Sequence, residues 1–231
     1  MALDAAAFDD DGTRAGRLTL RNIVPAPFLA PRIPAADALV LFSATLNPTD
    51  YYIDLLGLPA ETGWVDVESP FHSGQLAVHT VGHLSTRFAD RAQSLVPIAH
   101  LMAEQFARLP GNYLCFASSF DYLQRIAAQL QQDHPEVPQW QQTAGMDDAA
   151  RQVFLDRFQE GGQGIGFAVL GGAFSEGVDL PGHRLIGAFI ATLGLPQVNP
   201  VNEEMRRAMD RHFGAGKGYD YTYLFPGLRK V

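Results

Sequence analysis

Short apolar runs that end in hydroxyl- or glycine-rich turns are the feature that most constrains this chain. Ala38-Leu39-Val40-Leu41-Phe42 contains no polar residue and stops at Ser43-Ala44-Thr45. Asn112–Ala117 stops at Ser118-Ser119, and Ile165–Leu170 stops at Gly171-Gly172. A strand covered on both faces of a parallel sheet reads this way, because neither face tolerates polar side chains. Further strands are predicted over residues 17–24, 64–68, 76–80, 184–191 and 221–225. Helical spacing intervenes: Leu95, Ile98, Leu101, Met102 and Phe106 within 90–109, and Leu123, Ile126, Ala127 and Leu130 within 120–132. Helices are also predicted over 147–159 and 202–213, and a short one from Asn47-Pro48 to Gly57, with Asn as cap and Gly as stop.

Strands alternating with helices predict an α/β fold, a mostly parallel β-sheet flanked by α-helices on both faces. Ligand chemistry then belongs to loops at the carboxyl ends of strands. Three loops qualify: Ser43–Asn47, Ala117–Phe120 and Gly171–Gly182. Residues 1–16 read as a flexible N-terminal segment and 17–231 as the folded domain. Pro25, Pro27, Pro31 and Pro34 force an extended connection, and Gln131–Gln142, broken by Pro135 and Pro138, reads as a surface connection.

Composition narrows the function. The 231 residues are 47% apolar, enough for a sizeable core, and the net charge of −8 excludes a generally basic nucleic-acid coat while leaving room for a local basic groove. Cys115 is the single cysteine, so no internal disulfide or cysteine-only metal site exists in this chain; its apolar neighbours make it a buried hydrophobe. The seven histidines show no ligand spacing, and no metal site is expected. With neither a secretory signal nor an apolar span at the N-terminus, a cytoplasmic protein away from membranes is the expectation.

A phosphate-binding loop needs G-x-x-x-x-G-K-[ST]. Gly214-Ala215-Gly216-Lys217-Gly218 imitates it but has glycine after the lysine and too short a spacing. No complete catalytic set for ATP hydrolysis is expected in this chain. In Gly171–Gly182, glycines permit close backbone approach, while Glu176 and Asp179 suit ribose hydroxyls, a partner arginine or simple loop ordering. Ser43 and Thr45 suit either a relay between domains or a capped turn. Ser118 and Ser119 suit a phosphate seat or plain helix capping. Tyr113 and Tyr122 suit base stacking or, more commonly, the core.

Taken in order, these segments resemble the DinG/XPD-like group of superfamily 2 DNA helicases. PAPFLAPR (25–32) and LFSATLNPTDYYIDLLGLP (41–59) resemble the group's Ser-Ala-Thr region, and SPFHSGQLAV (69–78) with STRFADRAQSL (85–95) the lead-in to the second lobe. GNYLCFASSFDYL (111–123) is similar to motif IV and GGAFSEGVDLPG (171–182) to motif V. FGAGKGYDYTYLFPGLRKV (213–231) resembles the run leading to motif VI. The resemblance implies a C-terminal RecA-like motor lobe, truncated before motif VI, from an ATP-dependent 5′→3′ helicase on single-stranded DNA. It implies nucleotide contact or interlobe coupling by Ser43, Thr45, Gly172, Glu176, Gly177 and Asp179, and DNA contact by Arg87, Arg91, Ser118 and Ser119. ATP and Mg2+ are expected only together with an N-terminal lobe of the same polypeptide, and the isolated lobe is expected to be an inactive monomer. An iron–sulfur cluster elsewhere in the polypeptide is left open. The alternatives are a catalytically inactive helicase-like module that docks DNA or protein, and a stand-alone small-molecule enzyme of doubly wound fold.

Overall fold

The computed structural model describes residues 2–3, 7–8, 14–15, 18–175 and 178–230. The chain divides into two compact units, residues 1–72 with 196–229 and residues 73–195 with 230–231.

The second unit is built on four parallel strands: β1 (Asn112–Ala117), β2 (Gln139–Gln141), β3 (Gly164–Val169) and β4 (Gly187–Ile190), in the order β2-β3-β1-β4. Every pairing is parallel, with Cys115 opposite Phe167 on one side and Phe189 on the other. Successive strand residues point to opposite faces, and both faces of β1 are covered. Tyr113, Cys115 and Ala117 join Ile165 and Phe167 beneath two helices, α2 (Arg91–Arg108) and α3 (Phe120–Asp133), through Ile98, Met102, Tyr122, Leu123 and Ile126. Leu114 and Ala168 face the opposite way, onto Phe154 of α4 (Asp148–Leu155) and Phe158 beyond it. This is the expected α/β, RecA-like layering, and the apolar character of β1 and β3 is its cause. Cys115 is fully buried, and loss of water pushes its thiol up to about 12.

The first unit is helical where its core lies. Helix α1 (Thr49–Leu56) starts after Pro48, slightly later than the Asn47 cap predicts, and ends on Gly57 at φ +66°. Its Tyr51 and Tyr52 pack with Met209 of α5 (Pro200–Phe213) and with Tyr221. Asn199 caps α5 through its side chain, accepting from the Asn202 amide at 2.9 Å.

Several predicted strands are corrected. Residues 38–42 form no ladder and are open to solvent, with Val40 80% and Phe42 91% exposed. Residues 64–68 and 76–80 are also unpaired and largely exposed, so apolar alternation there has no sheet to join among the described residues. Among the described residues of the 17–24 run, only Leu18–Thr19 is paired, to Ala2–Leu3. Residues 220–224 are a π-helical turn continuing into a helical turn at 225–228. The Tyr221/Tyr223 alternation mimicked a strand, whereas the side chains pair at i,i+4: Tyr219 with Tyr223 at 5.6 Å and Tyr221 with Phe225 at 5.9 Å. In the glutamine-rich connection, Gln139–Gln141 is edge strand β2.

Candidate functional site

In a parallel sheet, adjacent strands deliver their following loops to the same edge. Here the Leu170 amide, just past β3, donates to the Ala117 carbonyl at the end of β1 at 2.9 Å. The Ala191 amide, just past β4, donates to the Phe116 carbonyl at 2.9 Å. The loops at 117–120 and 171–182 therefore leave side by side.

At the first loop the backbone turns from strand to helix, and Ser119 caps α3 by accepting from the Tyr122 amide at 3.2 Å. Ser118 Oγ accepts a 2.6 Å hydrogen bond from the Arg91 guanidinium, which arrives from the start of α2. Arg91 also donates to the Thr86 carbonyl at 3.4 Å and lies over the Tyr122 ring at 4.6 Å and the Phe88 ring at 5.4 Å. Below it, Ser94 Oγ and the Tyr122 hydroxyl share a 3.1 Å hydrogen bond. Tyr122 is fully buried, which settles it as core. Arg87 precedes the turn Phe88–Asp90 that leads into Arg91, and its side chain is exposed. Of the residues expected to meet DNA, the fold thus gathers Arg91, Ser118 and Ser119 at one strand end and sets Arg87 one turn away. Neither arginine has a carboxylate partner among the described residues. Sequence reasoning missed Phe88; its place between two arginines in Arg87-Phe88-Ala89-Asp90-Arg91 was the available signal.

The second loop is pinned from beneath. Phe174 stacks on Phe154 at 4.3 Å, and Val178 and Leu180 pack on the same cluster. The Gln142 side chain accepts from the Val169 amide at 2.8 Å, and Ser175 Oγ accepts from the Gly171 amide at 2.6 Å. Gly171 turns at φ +76°, and a Cβ there would lie 2.9 Å from Lys230 Cδ. Gly172 is half-buried and Asp179 exposed. Glu176 and Gly177 lie outside the described residues.

Ser43 and Thr45 belong to the first unit. Their hydroxyl oxygens are 3.3 Å apart, the Thr45 amide donates to Ser43 Oγ at 3.2 Å, and the Tyr52 hydroxyl donates to the Thr45 carbonyl at 2.7 Å. The turn is capped by its own side chains and anchored to α1.

The glycine–lysine imitation at 214–218 is occupied from within. The amides of Gly216 and Gly218 both donate, at 2.9 Å, to Oδ1 of Asp210, whose Oδ2 accepts from Arg206 at 3.0 Å. Lys217 Nζ is 2.7 Å from Asp54 Oδ2, which also accepts from the Tyr221 hydroxyl. Burial pushes the Asp54 carboxyl up, but its hydrogen bonds from Lys217 and Tyr221 prevail and leave it below the ordinary aspartate range. A Cβ on Gly218 would sit 2.2 Å from the Arg206 carbonyl oxygen, so the serine or threonine of a phosphate loop does not fit. A carboxylate already fills the amide cradle. No cluster of metal-ligating side chains occurs among the described residues, and none of their helices is long and apolar enough to cross a membrane.

Comparison with known proteins agrees with this geometry. Residues 102–231, more than half of the chain, match the family model described as helicase C-terminal domain. A solved structure titled XPD helicase matches with a TM-score of 0.60 at 14% identity, covering 83% of this chain and 34% of that one. Another, titled XPD apo, matches with a TM-score of 0.60 at 14% identity, covering 81% and 38%. The chain thus spans little more than a third of the solved chains it matches. With a parallel sheet, paired loops at its carboxyl edge and this family match, the chain belongs to the helicase C-terminal domain family, and its RecA-like fold is similar to that of the solved XPD chains.

Proposed function

We propose that this chain is the second motor lobe of an ATP-dependent DNA helicase moving 5′→3′ on single-stranded DNA. The observation that carries the reading is the shared sheet edge. Leu170 bonded to Ala117 puts a glycine-rich, acid-bearing loop beside an arginine–serine cluster, in a chain of the helicase C-terminal family. One loop suits nucleotide chemistry and the other suits a phosphate backbone, so occupancy of one is positioned to bias the other. Arg91, Ser118 and Ser119 hold the strand and Arg87 adds charge. Gly172, Glu176, Gly177 and Asp179 meet the nucleotide, and Ser43 and Thr45 couple this lobe to the N-terminal one.

ATP with Mg2+ fits these residues as a shared ligand. Asp179 offers an exposed carboxylate that suits ribose hydroxyls or a partner arginine, and the Gly171–Gly172 backbone permits close approach. The phosphate-loop-like cradle at 216–218 is filled by Asp210. Phosphate and magnesium ligation therefore falls to the N-terminal lobe, and the nucleotide supplies a phosphoanhydride whose cleavage drives movement. The exposed run 38–42 supports the same partner: five apolar residues with unpaired backbone suit a strand completed by another sheet of the same polypeptide.

The test is ATP hydrolysis by a protein that joins this lobe to its phosphate-binding lobe, with and without single-stranded DNA. Stimulation by DNA supports a motor. DNA binding without hydrolysis transfers the assignment to an inactive docking module.

A further inference from the structure

Phe88 is the most exposed large apolar side chain among the described residues of the second unit, at 84%. Its position is fixed. It opens the turn Phe88–Asp90, which is closed by the Asp90 amide donating to the Arg87 carbonyl at 2.9 Å. Ser85 Oγ donates to Asp90 Oδ2 at 2.6 Å. Under the ring lies the Arg91 guanidinium, itself over Tyr122. Arg91 uses two of its five N–H donors, on Thr86 and Ser118, which leaves an edge free. An aromatic ring held in solvent between two arginines that have no carboxylate partner among the described residues suits a ligand that is flat and apolar in one part and anionic in the next. A nucleobase with its flanking phosphates has that form, and aromatic stacking accepts any base.

We propose that Phe88 is a base-stacking platform: a base of single-stranded DNA lies on its open face, while Arg87 and the free edge of Arg91 take the flanking phosphates. The proposal rests on the reading of this lobe as a single-stranded DNA binder. It adds a residue of different chemistry to the arginines and serines, one that senses bases where those sense backbone.

Fluorescence anisotropy of the full chain with a short oligothymidylate and with an abasic strand of equal length tests it. The intact protein should prefer the oligothymidylate by about thirtyfold, the middle of the range for one stacked base. Phe88→Ala, a change at an exposed position, should keep its thermal melt and bind both strands at the abasic level with an unchanged salt slope. Phe88→Trp should keep the preference and lose indole fluorescence on binding oligothymidylate but not the abasic strand. A Phe88→Ala protein that retains the preference overturns the stacking role and leaves DNA binding standing. An intact protein that binds neither strand overturns both.

Discussion

Arg91 and Ser118 are joined by a 2.6 Å hydrogen bond across 27 positions of sequence, tying the start of α2 to the end of β1. The bond sets Arg91 before it meets any ligand, so a phosphate contact there costs little rotamer entropy. Ser118→Ala should release the guanidinium while leaving it stacked on Tyr122. Stability should fall by about 1–2 kcal/mol, at the low end for a bond from a charged donor because the pair is only part-buried. Arg91→Ala should weaken single-stranded DNA binding in all sequences and lower the slope of log affinity against log salt by about 1. Denaturant melts read the first variant, and anisotropy titrations across salt concentrations read the second.

Asp54 gives the first unit a dependence on acid. Its carboxyl is held below the ordinary aspartate range, so its contribution is complete above the unfolded-state value and is lost as pH falls through the lower folded value. Lys217→Met should weaken that dependence, leaving the part held by the Tyr221 hydroxyl, and cost roughly 0.5–1 kcal/mol at neutral pH, because the lysine is partly exposed and solvent screens the pair. Denaturant melts from neutral pH down to strong acid compare the two proteins.

Gly218→Ser would restore the residue type of a phosphate loop and is expected to fail as one. The new Cβ meets the Arg206 carbonyl oxygen and the Asp210 carboxylate in the folded chain. A loss of about 1–3 kcal/mol, typical of overpacking, with no gain in nucleotide affinity is the expected outcome. Thermal unfolding with and without ATP reads it.

Gly171→Ala meets two obstacles, a left-handed φ of +76° and the Lys230 stem. The backbone term alone is about 1–2 kcal/mol. Because Gly171 opens the loop that bears Asp179, the substitution should also lower DNA-stimulated hydrolysis in the two-lobe protein, measured beside its melt.

Cys115 should resist alkylation in the folded protein at mildly alkaline pH and react on unfolding, because the thiolate has no water around it. Since its pKa is raised, stability should fall as pH rises above the unfolded thiol value and level off only near the folded one. Thiol labelling in native buffer and in denaturant distinguishes the two states.

The sheet was legible wherever both strand faces are covered by this chain. Tyr113 to Ala117 alternate between two clusters, and that double demand leaves an unmistakable apolar run. The run 38–42 carries the same signature without a cover among the described residues. An apolar pattern reports that a segment is built to be buried, and not which residues bury it. Gln139–Gln141 was hidden because an edge strand needs apolar residues on fewer sides. At the candidate site, Ser118 and Ser119 stood out by strand-end placement and Arg91 only through the family resemblance, and the Arg91–Ser118 hydrogen bond is what brings them together. Phe88 was not legible, because an aromatic residue in sequence defaults to the core, and only its 84% exposure separates it from Tyr122.

The most direct test of the motor-lobe assignment is the steady-state ATPase rate of the two-lobe protein against single-stranded DNA concentration, for the intact sequence, Arg91→Ala and Asp179→Ala. Arg91→Ala should raise the DNA concentration needed for half-maximal stimulation by about tenfold or more with kcat nearly intact, while Asp179→Ala should lower kcat or raise the KM for ATP at saturating DNA. Hydrolysis indifferent to DNA, or unaltered in both variants, would contradict the account.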